Sequence, residues 1–315
     1  MIAVRLLAWL GSQGTRAIAL SCVFGVIIPG ASGYVRPFLT ETIFLLLTLA
    51  FLQVDIERLK SRLGERARIG RWVFWMMAGM PLLVCLGLKF SGIAAIMPET
   101  LMIAIIVAAA PPLMSAPAIA TLVGLDGALS LALLIACMVL TPLTAPLLAS
   151  LFLPAEIALD PIALILRLSL LLGGSFALAQ IIRRVVGQPR ISSVRLELSG
   201  LNVILLTVFA LIAMDSVRAR LVENPVQVLS LTALTFLVAF AQMGLATLAT
   251  IGDAPRERMV LALAAGTRNM GLVVAALGDN IPDPVWLYFA LGQFPIYFLP
   301  WMLQPLVRRL GAAEP

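Results

Sequence analysis

Apolar runs recur from Arg16 to Leu306 with only short polar breaks, so most of this chain must fold where backbone N–H and C=O groups have no water to bond. Runs of roughly 20 residues without two-residue alternation specify helices as the solution. With 61% hydrophobic residues, 12% charged ones and a mean hydropathy of +1.06, the 315 residues carry more apolar surface than a soluble core would hide. About ten spans fit, with little chain left for an extramembranous module. An all-α integral membrane protein is expected.

The chain has no histidine, which removes the commonest general base, proton relay and transition-metal ligand. Cys22, Cys85 and Cys137 stand alone in apolar runs, with no spacing that suggests a disulfide or a zinc site. No Asp pair, Ser–Lys pair or metal set lies in the runs, so an enzyme is not expected, nor a metal or other cofactor. The net charge of +6 sits in loops between apolar runs, where it sets membrane orientation, and nucleic acid is not an expected partner.

Met1 to Gly14 reads as an interfacial helix or the start of the first span, with a cleaved signal peptide as the lesser alternative. Runs follow at Arg16 to Gly30 and Pro37 to Val54, then a basic loop from Arg58 to Arg71. Trp72 and Trp75 open the third run as an expected interfacial anchor. The fourth starts at Thr100, and the fifth reaches Pro154, with Pro142 and Pro146 expected to bend it. Pro161 to Ile182, Leu196 to Met214, Val226 to Ile251, Met259 to Leu277 and Val285 to Leu306 complete the second half. Residues 1–155 and 156–315 thus read as two five-helix repeats. Five being odd, the second repeat enters from the opposite side, and the repeats are inverted in topology. Counting basic residues places both termini in the cytoplasm of a plasma (inner) membrane, with only Arg36, Lys89, Arg218 and Arg220 outside. The basic loop is read as an orientation signal against anionic headgroups and the only candidate dock for a protein partner, whose identity stays open.

In each half the fourth run is interrupted. Pro111, Pro112 and Pro117 break the first around 110–117, and Gly266-Thr267-Arg268-Asn269-Met270-Gly271 breaks the second. Each leads through an acidic turn, at Asp126 or at Asp279 and Asp283, into a proline-containing fifth run. Crossing broken helices place four half-helix ends at mid-membrane, whose N-termini favour anions. Arg268 adds a full charge at a depth where charge is costly. Glu41 and Arg167 lie nearer the outer ends of their runs and are read as interface charges able to reach water or pair. Met114, Met270 and Leu113 are candidate apolar lining.

These segments resemble the bile acid:sodium symporter superfamily over nearly the whole chain. Pro111, Thr121-Leu122, Ala128-Leu129-Ser130, Pro142-Leu143 and Pro146 look like its fourth and fifth helices, and Gly266 with Asn269 fits its Glu-x-Gly-x-Gln-Asn pattern. The resemblance implies ten helices in inverted repeats, with broken, crossing fourth and ninth helices. It departs where sodium binds in that family. Ala264 and Arg268 stand for the Glu and Gln of the pattern, Ala116 and Pro117 for a Ser-Asn pair, Leu134 for a Thr, and Met76, before Pro81, for a Gln. A sodium ion needs several oxygen ligands, so sodium is not expected here. The arsenite-efflux branch is disfavoured, because no thiol lies in the first broken segment.

The expected function is secondary transport of a small organic anion by alternating access, not sodium-coupled, with Arg268 in the place of the sodium charge. The expected substrate-binding residues are Arg268, Asn269, Thr267, Gly266, Ser115, Pro117 and Ser130. The alternative is a transporter-like membrane receptor or scaffold that binds a ligand without moving it.

Overall fold

A computed structural model describes residues 2–13, 32–54, 56–153, 160–214, 217–278 and 281–312. The run from Arg16 to Gly30, Cys22 and Asp279 lie outside the described residues. The principal helices begin with α1 (Ile2–Ser12), α2 (Leu39–Leu52), α3 (Arg66–Phe90) and α4 (Glu99–Ala108). Next come α5 (Ala116–Leu122), α6 (Gly127–Phe152), α7 (Pro161–Val186), α8 (Arg195–Ala213) and α9 (Pro225–Ala249). The last are α10 (Pro255–Gly266), α11 (Met270–Leu277), α12 (Asp283–Leu291) and α13 (Gln293–Ala312). Among the described residues five helices, α3, α6, α7, α8 and α9, are long and apolar enough to cross a membrane. The described chain is that of an all-α membrane protein. α6 runs through Pro142 and Pro146 as one continuous helix.

The fold divides into two compact units, and each takes residues from both halves of the sequence. The first comprises Met1–Val54 and Ser169–Thr232, and the second Asp55–Leu168 and Ala233–Pro315.

In the first unit α1 packs on α8, and α8 on α2. Glycines set the α1–α8 approach: a Cβ on Gly200 would run into the Leu7 carbonyl, and one on Gly11 into the Leu196 carbonyl. Helices that cannot gain from expelling water are held by such close backbone contact. Phe51 and Phe176 meet edge to face, 5.5 Å apart. Arg183 reaches the end of α2, donating to the carbonyls of Phe51 (2.8 Å), Leu52 (3.1 Å) and Val54 (2.7 Å). Carbonyls at a helix C-terminus lack intrahelical donors, and a cation there also suits the helix dipole.

In the second unit a methionine-rich apolar core joins α3, α6 and α10, with Trp72, Met76, Met77, Met80, Leu133 and Ala265 among its members. Above it lies a charge network. Arg62 bonds Glu65 (2.6 Å) and Asp126, Arg68 bonds Glu65 and Glu257, and Arg71 bonds Asp253 (2.7 Å). Part of the basic loop, expected to lie against headgroups or dock a partner, is therefore neutralised within the protein. Trp72 also differs from its expected place at the lipid interface. It is 1% exposed, and its indole N–H donates to Asp253 at 2.8 Å. An Asp253→Asn substitution, which weakens acceptance from both Arg71 and Trp72, is expected to cost about 1–2 kcal/mol, read as a lower melting temperature in detergent.

Burial works against the charged Glu65 carboxylate, but hydrogen bonds from Arg68 and Arg62 outweigh it and hold the carboxyl below its ordinary value of 4.5. A value lowered by folding gives a contribution that is complete above about pH 4.5 and is lost as pH falls through the folded value. Thermal melting across an acid series is expected to show that loss, and Glu65→Gln to remove this share of the acid dependence.

Candidate functional site

The site is built where two helices stop. Pro111 and Pro112 offer no N–H to the carbonyls of Val107 and Ala108 four residues back, so α4 cannot continue. The chain is non-helical until α5, which carries Pro117 in its first turn. α10 stops at Gly266, with Thr267 (φ −121°, ψ 85°) and Asn269 (φ −80°, ψ 66°) outside the helical region, and α11 starts at Met270.

The two breaks satisfy each other. Pro112 and Arg268 pair as an isolated antiparallel bridge. On either side Leu113 N–H donates to the Thr267 carbonyl (2.9 Å) and Asn269 N–H to the Pro111 carbonyl (2.8 Å). Backbone groups stranded in an apolar interior cost about 1–3 kcal/mol each, so either break alone would leave donors or acceptors unpaired.

Arg268 closes the crossing. Its Nε donates to the Ala265 carbonyl (3.1 Å), one terminal nitrogen to the Ala110 carbonyl (2.8 Å), and the other to the Met76 carbonyl (3.3 Å) and the Met80 sulfur (3.4 Å). The residue is 2% exposed. All four partners are neutral, and the Ala265 carbonyl lies in the last turn of α10, where the helix dipole favours a cation.

The Met76 carbonyl is available because of a π-helical turn in α3, Trp75–Gly79. In that register Met80 N–H bonds the Trp75 carbonyl, and the next residue, Pro81, has no N–H to offer Met76. Gly79 admits the turn, since a Cβ there would lie 2.6 Å from the Trp75 ring.

The other expected site residues are distributed unevenly. Thr267 is buried, and its hydroxyl donates to the Leu263 carbonyl (2.7 Å), so it finishes α10. Asn269 joins the crossing through its backbone and caps nothing with its side chain. Gly266 lies under α9, where a Cβ would sit 2.6 Å from Met243 Cγ. Ser115 and Pro117 form the start of α5, their carbonyls accepting from Ile119 N–H and the Thr121 hydroxyl. Ser130 is buried in the first turn of α6 and makes no hydrogen bond to the crossing among the described residues. Arg167 and Glu41, expected to reach water or pair, are both exposed, and Arg167 also donates to the Ala276 carbonyl at 3.3 Å, near the end of α11.

Beside the crossing is a cavity within the second unit, with about 20 Å³ open to the centres of water molecules. Arg268, Met270, Gln242, Tyr288 and Thr235 are in its wall, whereas Leu113 and Met114 are not. Gln242 and Tyr288 are missing from the expected set. The sequence did hold a signal, an amide and a phenol inside otherwise apolar runs. The space suits one or two waters and is too small for an organic anion in this conformation. No protein-family model matches the chain, and no curated protein matches it.

Proposed function

We propose that this protein is a secondary transporter that moves a small organic anion across a plasma membrane by alternating access, without sodium coupling. The observation that carries the reading is the mutual pairing of two interrupted helices around a buried arginine. Breaks at membrane depth are tolerated where they are enclosed in protein or line a cavity, and discontinuous helices are a recurrent basis for transporter sites. On this reading the chain forms two inverted five-helix repeats with both termini cytoplasmic, as a divergent relative of the bile acid:sodium symporters. Arg268 supplies a fixed positive charge among backbone carbonyls of the sort that ligate hard cations, so the crossing is held together without a bound metal cation. Its role is to clamp the scaffold, and the substrate enters only when the cavity widens.

Proteoliposomes loaded with buffer and offered a mixed pool of organic anions test this, with the lumen read by mass spectrometry. Saturable accumulation of one anion, competed by its excess outside, is the expected result. Binding to the purified protein without entry into the lumen would favour a receptor and overturn the transport reading.

A further inference from the structure

The cavity beside the crossing holds two side chains whose polar atoms have nothing to bond. Gln242, on α9, is 3% exposed and Tyr288, on α12, is 4% exposed. Neither the Gln242 amide nor the Tyr288 hydroxyl has a hydrogen-bond partner among the described residues. Both line the cavity, together with Arg268 and the first residue of α11, Met270. Two polar groups that share one small pocket and lack a protein partner there point to an occupant that bonds them.

The chemistry of the wall sets the occupant's charge. An amide and a phenol serve either a cation or an anion, since each has a donor and an acceptor. The surroundings decide between them. Arg268 is a full positive charge whose hydrogen-bond partners are all neutral. A cation in the same low-dielectric pocket would be repelled by it, whereas an anion would offset an otherwise uncompensated buried charge. The N-terminal end of α11, an eight-residue helix, adds a dipole of the same preference. The space, about 20 Å³ for water centres, limits the occupant to something near the size of a water molecule.

We infer that this cavity binds a chloride-sized monovalent anion, held by the Gln242 amide N–H and the Tyr288 hydroxyl, which acts as the fixed counter-ion of Arg268. The site is independent of the transport reading, because it asks only what neutralises the crossing.

Thermal melting of the full-length protein in detergent tests it, in chloride, bromide and gluconate salts of one cation at matched ionic strength. Chloride and bromide are expected to raise the melting temperature by about 2–4 °C over gluconate, and the gain to saturate with concentration. Combined Gln242→Leu and Tyr288→Phe should abolish the gain while leaving the gluconate value near that of wild type. Equal melting in all three salts, or an undiminished gain in the double variant, would overturn the inference. Should the double variant not fold, crystals of wild type grown in bromide decide the matter: anomalous density in the cavity supports the site, and a cavity without it overturns it.

Discussion

Arg268→Ala is expected to lower stability by about 3 kcal/mol and to abolish uptake. The substitution strips the carbonyls of Ala265, Ala110 and Met76 of their donor at once. Each orphaned carbonyl costs about 1–3 kcal/mol, a loss partly offset by no longer burying a charge. Arg268→Lys keeps the charge but presents its donors from one point, and cannot span carbonyls contributed by α10, the first break and α3. It is expected to recover little of the loss. Thermal melting of the purified variants checks both, and a melting temperature for Arg268→Ala within a degree of wild type would refute the clamp.

Gly200→Ala is expected to be nearly as damaging, although it adds one methyl group far from any charge. The added Cβ meets the Leu7 backbone carbonyl, which cannot rotate away as a side chain would, so α1 must separate from α8. Overpacking against rigid backbone costs about 3 kcal/mol. Gly173→Ala is the matched control within the first unit, since a Cβ there meets nothing within 4 Å. Similar melting of the two alanine variants would show that the α1–α8 contact is looser than described.

What could be read in the sequence and what could not differ for physical reasons. The interruptions at 110–117 and 266–271 were legible because proline and glycine act on the backbone locally, whatever surrounds them. That Arg268 belonged to the interruption was legible from the cost of charge at that depth. Its partners were not. They are backbone carbonyls and a thioether, and every residue has a carbonyl, so no residue type marks Ala110 or Met76. Only the combination of Pro81 with a π-helical turn makes the Met76 carbonyl available, and a single inserted residue in helical register leaves no trace in composition. Trp72 was misplaced for a related reason. A tryptophan at the start of an apolar run suits an interface, but Asp253, 181 residues away, supplies a half-buried acceptor that draws it inward. Gln242 and Tyr288 were visible as polar residues in apolar runs, yet only the folded chain brings α9 and α12 to one cavity.

The most direct test of the account compares initial rates of substrate uptake by wild-type proteoliposomes in sodium and in potassium buffers of equal ionic strength. A guanidinium that holds the crossing in place of an ion predicts the same rate in both, with uptake lost in Arg268→Ala. Uptake in sodium alone would contradict the account, because it would require an ion site that the carbonyls engaged by Arg268 do not leave open.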